Sequence, residues 1–341
     1  MKLLIRMHVF ALAALLCAGA PLAETSGQQL AEDAGRGLVG AQAPRLLLKA
    51  IEGQDIDLGS LYGKKAVYLK FWATWCVPCR EQMPHFERTY QNAGPDLAVI
   101  AVNAGFNDSI EEIRKYRTRL GITMPIVFDD TGRVGAAFNL RVTPQHIVIG
   151  RDGRIQYIGH LADARLDSAL AAAKTSSVGN LRSPQAELIA VRRIRVGDKL
   201  PAAAAKTLDG KSFQFRTTKF KGPTAYVFLS PWCESYLATT RPTVSANCRI
   251  GREQVTALSR NSRVRWLGVA SGLWATTEDL GDYRSKYKVA IPLTLDETGS
   301  LFREFGVGNT PTVVIADAKG TVVRRVEADE IRSLAAILNE L

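Results

Sequence analysis

The chain repeats itself at long range, and that repeat limits its fold more than any other feature. Shifted by 157 residues, Gly40, Pro44, Gly53, Trp75 and Cys76 fall on Gly197, Pro201, Gly210, Trp232 and Cys233. Further along the shift becomes 167. Gly105, Glu111, Tyr116, Arg117 and Pro125 then fall on Gly272, Glu278, Tyr283, Arg284 and Pro292, and Thr143, Pro144 and Gly153 on Thr310, Pro311 and Gly320. Two constant offsets over such distances mean one folding unit used twice. The second copy carries ten extra residues between Cys233 and Val264, and Cys248 lies in that same interval. A length of 341 residues suits two domains. The expected division is a first domain over 40–175, a polar Ser/Gly/Pro linker over 176–195 and a second domain over 196–341. Residues 24–39 are polar and Gly-rich and read as loose.

The first 23 residues read as a signal peptide. Lys2 and Arg6 precede an almost wholly apolar Val9–Leu16 run, and small residues follow at Ala18, Gly19 and Ala20. Cleavage is expected after Ala23. An uncleaved anchor, which would hold the protein near a membrane, is the alternative. The bulky Leu16 argues against a lipoprotein reading of Cys17. The formal net charge is +11, falling to about +9 once Lys2 and Arg6 are removed. The excess basic residues are scattered, with no block of basic and aromatic residues, so nucleic acid is not an expected partner.

Within the first copy, Ala66–Phe71 and Leu97–Val102 are apolar, strand-like runs. A helix is expected from Val77 to Tyr90 and another over Ile110–Leu120. Short strands follow at Ile126–Phe128 and His146–Ile149. An Asp152-Gly153 turn leads to Ile155–Ile158, and a helix over Leu166–Lys174 closes the unit. Strands alternating with helices and ending in a hairpin predict an α/β fold, a mixed sheet flanked by helices.

The chemistry is concentrated in Phe71-Trp-Ala-Thr-Trp-Cys76-Val-Pro-Cys79-Arg-Glu-Gln-Met-Pro84. The order is strand, short turn, Cys-x-x-Cys, helix. It puts Cys76 at a helix N-terminus, where free N–H groups and the helix dipole stabilise a thiolate. Cys79, one turn on, is placed to close a disulfide with Cys76, and Pro78 fits a first turn that needs no amide from it. Reduced Cys76 would attack a substrate disulfide, and Cys79 would then resolve the mixed disulfide; run backwards, the steps oxidise a dithiol. This requires Cys76 to be open to a visiting polypeptide. Thr143-Pro144 precedes a predicted strand. A cis bond there would bring backbone up to the cysteines and offer the Thr143 backbone to an extended substrate; a trans turn proline is the plainer reading. Trp75 is a candidate for the active-site surface. His85, His146 and His160 show no metal-ligand spacing, and no metal site is expected.

These residues resemble the TlpA/ResA branch of thioredoxin-like proteins: Trp-Ala-Thr-Trp-Cys-Val-Pro-Cys-Arg-Glu-Gln-Met-Pro, followed by Val-Thr-Pro. The resemblance covers the first copy. It implies two tandem thioredoxin-like domains, the second degenerate. It also implies a nucleophile at Cys76, a resolving thiol at Cys79, a cis proline at Pro144 and an export address in the bacterial periplasm or cell envelope. Two departures stand out. The branch often has an acid just before the motif's final Met-Pro; here Gln82 holds that place, with Glu81 rotated about 100° away on a helix. Lys70 sits six residues before Cys76, where thioredoxin itself has a buried Asp. A buried Lys70 would favour a thiolate; alternatively, it snorkels to the strand end.

In the second copy the motif reads Ser230-Pro-Trp-Cys233-Glu-Ser-Tyr236, so Tyr236 replaces the second cysteine. Cys248 lies fifteen residues from Cys233, ample for closure. Three readings stand: a structural staple, a redox pair in which Cys248 resolves, or two separately engaged thiols. A peroxiredoxin-like role fits poorly, because Tyr226 stands where a proline is wanted.

The expected activity is exported thiol–disulfide exchange, in the direction of protein-disulfide reduction. Envelope proteins with disulfides are the expected substrates, an upstream thiol donor supplies electrons, and no small-molecule cofactor is needed because the cysteines carry the electrons. A Cu(I)-handling protein and a non-catalytic binding scaffold are the rivals.

Overall fold

The computed structural model of the protein describes residues 22–178, 193–260 and 263–341. The expected signal segment lies outside the described residues up to position 21, and the expected linker lies outside them over 179–192. The first copy runs α1 (Leu22–Gly35), β1 (Leu47–Lys49), β2 (Asp55–Asp57), α2 (Leu58–Leu61), β3 (Ala66–Trp72), α3 (Val77–Gln91), β4 (Leu97–Asn103), α4 (Ile110–Leu120), β5 (Ile126–Phe128), α5 (Arg133–Ala137), β6 (Gln145–Ile149), β7 (Ile155–Gly159) and α6 (Ala164–Thr175). The second runs β8 (Ala204–Lys206), β9 (Ser212–Gln214), β10 (Thr224–Leu229), α7 (Cys233–Tyr236), α8 (Pro242–Leu258), β11 (Arg265–Ser271), α9 (Thr277–Tyr287), β12 (Leu293–Asp296), α10 (Ser300–Glu304), β13 (Thr312–Ala316), β14 (Val322–Val326), a 3₁₀ turn (Ile331–Ser333) and α11 (Leu334–Asn339).

Each copy forms a five-stranded mixed sheet, in the orders β5-β4-β3-β6-β7 and β12-β11-β10-β13-β14. In the first, β3, β4 and β5 are parallel, while β6 pairs antiparallel to both β3 and β7. The second repeats this pattern strand for strand. With helices on both faces, this is the thioredoxin arrangement, present twice. Every side chain of the central strand β3 is buried, as its unbroken apolar run requires.

The 167-residue offset is visible in the helix ends. Ser109 caps α4 by accepting from the Glu112 amide, and Thr276 caps α9 by accepting from the Asp279 amide. Both helices stop at a left-handed residue, Gly121 and Lys288. The offset changes from 157 to 167 where the first copy has the single helix α3 and the second has α7 and α8. The extra residues break the helix after one turn, separating Cys233 on α7 from Cys248 on α8.

Residues 24–39 are not loose. They contribute most of α1, whose Gly27, Gln28, Ala31 and Ala34 face is buried. Gln28 accepts from the backbone N–H of His160, just past β7, and Gly27 is so close to His160 that a Cβ would meet its ring at 2.7 Å. That face is made of small and polar residues, so it carries no hydrophobic period to read. Ala31→Arg is expected to force a charge into this contact and lower stability by about 2 kcal/mol in urea unfolding; an unchanged midpoint would mean that α1 does not dock.

Candidate active site

Cys76 is the N-cap of α3, with extended backbone angles, and its Sγ accepts from the Cys79 amide at 3.2 Å. The two sulfurs are bonded to each other. Pro78 sits in the first turn, where no donor is lost. Opposite, the Thr143–Pro144 bond is cis, and Thr143 O lies 3.3 Å from Cys76 Sγ. Gln145 fixes this loop: its Oε1 accepts from the Arg141 amide at 3.1 Å and its Nε2 donates to Phe138 O at 3.2 Å. Strand, helix start and proline loop thus converge on one sulfur.

Behind the disulfide runs a buried polar chain. Tyr68 OH lies 2.8 Å from His146 Nδ1, and His146 Nε2 lies 2.8 Å from Gln82 Oε1. Gln82 Nε2 donates to His160 O at 3.2 Å, and His160 Nδ1 reaches Pro144 O at 2.7 Å. An amide oxygen can only accept, so His146 carries its proton on Nε2 and accepts at Nδ1 from Tyr68. Burial first, then the nearby Lys70 charge, holds His146 well below the usual imidazole range, so it is neutral. Gln82 therefore joins α3 to the proline loop, whereas its neighbour Glu81 is exposed. Neither histidine stood out in the sequence; their β6 and post-β7 positions show no spacing that signals a site.

Lys70 does not snorkel. It is fully buried, its Nζ lies 5.3 Å from the centre of the Phe86 ring of α3, and the described residues give it no hydrogen-bond partner. Burial lowers its pKa from 10.5 to about 7.

The second domain covers this site, against the expectation that Cys76 stands open. Cys76 is 1% exposed and Cys79 fully buried. Trp75 donates to Phe106 O and stacks on Trp232 with ring centres 5.0 Å apart. Tyr236, which replaces the second motif cysteine, accepts from the Val77 amide at 3.0 Å. The contact obeys the internal repeat. The Asn107 amide donates to Gly308 O at 2.9 Å, and the Trp274 amide donates to Arg141 O at 2.8 Å. Asn107 and Trp274 are repeat equivalents, as are Arg141 and Gly308. Asn107 Oδ1 accepts from the Thr310 amide, and Trp274 Nε1 donates to Thr143 Oγ1 at 3.2 Å. At the edge, Arg241 bridges to Asp108, Thr74 and Glu112. Two copies of one surface therefore meet about a pseudo-two-fold axis. Trp75 and Thr143, read from sequence as substrate contacts, here hold the second domain.

Residues 39–158 match the AhpC/TSA family. A thioredoxin-like protein, YneN, of Bacillus subtilis is 34% identical over 134 residues, which cover 38% of this chain and 78% of that protein. The chain belongs to this thioredoxin-like family. Within it, the thiol–disulfide oxidoreductase ResA of Geobacillus thermodenitrificans is 34% identical over 123 residues, 35% of this chain and 68% of that protein. ResA of Halalkalibacterium halodurans is 38% identical over 117 residues, 34% and 65% of the two chains. A solved thiol:disulfide interchange protein of Chlorobium tepidum matches at 24% identity and a TM-score of 0.36, covering 40% of this chain and 97% of that one. The first domain is thus of the thiol–disulfide oxidoreductase type, with Cys76 and Cys79 as its paired cysteines.

The buried lysine has a consequence for stability. In the unfolded chain Lys70 keeps its proton to about pH 10.5, whereas in the fold it loses it near pH 7. Between these values the unfolded state binds more protons, so its contribution to stability rises with pH by up to about 1.4 kcal/mol per unit. Oxidised protein is expected to gain stability from pH 7 to pH 9, and Lys70→Met to add about 2 kcal/mol at pH 7 while flattening that rise. Denaturant titrations at both pH values check this; a Lys70→Met loss of stability at pH 7 would contradict it.

Proposed function

We propose that this chain is an exported thiol–disulfide oxidoreductase that reduces disulfides of envelope proteins through Cys76 and Cys79. The observation that carries this reading is the Cys76–Cys79 disulfide at the head of α3, with Thr143 O at 3.3 Å from Cys76 Sγ. A thiolate at Cys76 gains from the unpaired amides and dipole of the helix end. It attacks one sulfur of a substrate disulfide and forms a mixed disulfide, and the other substrate sulfur leaves as a thiolate. Cys79 then attacks Cys76, re-forming the internal disulfide and releasing the reduced substrate. An upstream dithiol returns the two electrons. The positively charged start and apolar run at the N-terminus support export. The domain division proposed on this reading is 40–175 and 196–341, each with its own sheet.

The substrate and the second domain compete for one surface. Thr143 Oγ1 and Arg141 O, which would meet an extended substrate, are taken by Trp274, and the Val77 amide is taken by Tyr236. Turnover on a protein substrate therefore proceeds from a state in which the second domain has moved off. The closed contact also favours one other reading, a scaffold whose first disulfide never exchanges.

Insulin-disulfide reduction, driven by dithiothreitol, separates the two. Cys76→Ser is expected to lower the rate at least about 100-fold. Trp232→Ala, which removes the stacked ring over Trp75, is expected to raise it several-fold by roughly 1 kcal/mol of weakened closure. Activity that survives Cys76→Ser would reject the mechanism, and a Trp232→Ala rate at or below that of the unsubstituted protein would reject the competition.

A further inference from the structure

We infer that the Cys233–Cys248 disulfide is a second exchange site whose reactive sulfur is Cys248, with the cysteine roles reversed relative to the first domain. By sequence, Cys233 is the counterpart of the nucleophile Cys76. By position in the fold, it is not. The sulfur that lies against the second proline loop is Cys248 Sγ, 3.6 Å from Thr310 O, as Cys76 Sγ lies 3.3 Å from Thr143 O. Thr310 and Thr143 are repeat equivalents, and both precede a cis proline. Cys233 Sγ instead lies away from this loop, 3.9 Å from Val244 O at the start of α8.

The inserted residues explain the exchange of places. They end the helix after α7 and start α8 afresh at Pro242, so the helix that runs along the proline loop now bears Cys248 in its second turn. Gly251 lets α8 press on this loop, since a Cβ there would meet Pro311 at 3.0 Å. Burial separates the two sulfurs in the same sense: Cys233 is 0% exposed, Cys248 9%.

The surroundings suit exchange better than a plain staple. Arg252, one turn beyond Cys248 on α8, lines with it a small cleft of about 30 Å³ that also includes Ser230 and Pro311. Its guanidinium pairs with Glu234 at 2.6 Å and lies 4.3 Å from the centre of the Tyr287 ring. On the other side, Val244, Asn247, Asn309 and Thr310 border an open cleft of about 490 Å³ between the domains. Asn247 adjoins Cys248 in sequence, and Thr310 touches it. Asp108, Glu112, Glu327 and Asp329 edge that cleft; Arg241 pairs with the first two and Arg325 with Glu327. With most of these carboxylates already paired, the site suits the thiol of an uncharged small molecule or polypeptide segment.

The step balances without a further reactant. An incoming thiolate attacks Cys248 Sγ, forming a new S–S bond as the Cys233–Cys248 bond breaks, and Cys233 leaves as a thiolate. A second thiol of the incoming dithiol then displaces Cys248. The dithiol is oxidised to a disulfide, and the protein pair is reduced. In reverse, Cys248 attacks a substrate disulfide and Cys233 resolves. This goes beyond the proposal for the first pair and does not depend on it.

The test uses the intact, unsubstituted protein and the neutral monothiol 2-mercaptoethanol. Partial reaction under native conditions, acid quench and peptide mass mapping locate the thiol adduct on each cysteine. The adduct is expected on Cys248 with Cys233 as the free thiol, at least roughly tenfold over the opposite arrangement. It is expected earlier than any adduct on Cys76, which the second domain covers. An adduct chiefly on Cys233 would overturn the reversed roles. A second pair that is reduced only as fast as the protein unfolds would overturn the exchange site altogether. Adducts on Cys76 and Cys79 come from the same digest, so failure at one pair is read apart from failure at the other.

Discussion

The structure turns on one contact made twice: the turn at residue 107 or 274 of one domain meets the proline loop of the other. Asn107 and Trp274 both adopt positive φ, 49° and 57°, uncommon for residues other than glycine. Each donates its amide to the other domain, at Gly308 O and Arg141 O. The arrangement has the self-complementarity of a two-fold dimer, with both copies on one chain. Within it Trp75 and Trp232 pack ring on ring, adding about 1 kcal/mol beyond the area they bury. The rest follows from this closure. Cys76 is hidden, Tyr236 occupies the head of α3, and Arg241 neutralises the buried Asp108 from the opposite domain.

Asp108 shows how the two levels connect. Its carboxylate accepts from the Thr74 amide at 2.8 Å and from Asn103 at 2.8 Å, and so fixes the turn before Cys76. Burial raises its pKa, against the lowering effect of those bonds and of Arg241. The same residue that shapes the cysteine turn thus anchors the second domain, and the Cys76 loop is tied to domain closure. Behind the disulfide, the Tyr68–His146–Gln82–His160 chain ties α3 to the proline loop. Lys70 is sealed against this layer, and burial lowers its pKa to about 7.

Much of this was legible in the sequence, for physical reasons. The offsets of 157 and 167 told of two like domains because equivalent turns need the same residues: Thr143-Pro144 and Thr310-Pro311 both lead into strands. In the first copy α4 followed from its helical apolar spacing, and β5 and β6 from short apolar runs. The Cys76 motif was readable because a helix start needs particular residues in a fixed order. Three features were not readable. α1 docks through Gly27, Gln28, Ala31 and Ala34, which leave no hydrophobic pattern. The buried histidines of the polar chain come from β6 and from the turn after β7 and share no spacing. Closure of one domain on the other is a long-range event, written only in pairs such as Asn107 with Gly308 and Trp274 with Arg141, which mean nothing until the chain is folded.

Amide hydrogen exchange at Val77, Asn107 and Trp274 in the oxidised full-length protein tests the central contact most directly. All three N–H groups donate across the domain boundary. The account predicts protection at all three, lost together and at one common rate as the domains part. Exchange at the unprotected rate at these positions, with the neighbouring β3 and β10 amides still protected, would contradict it.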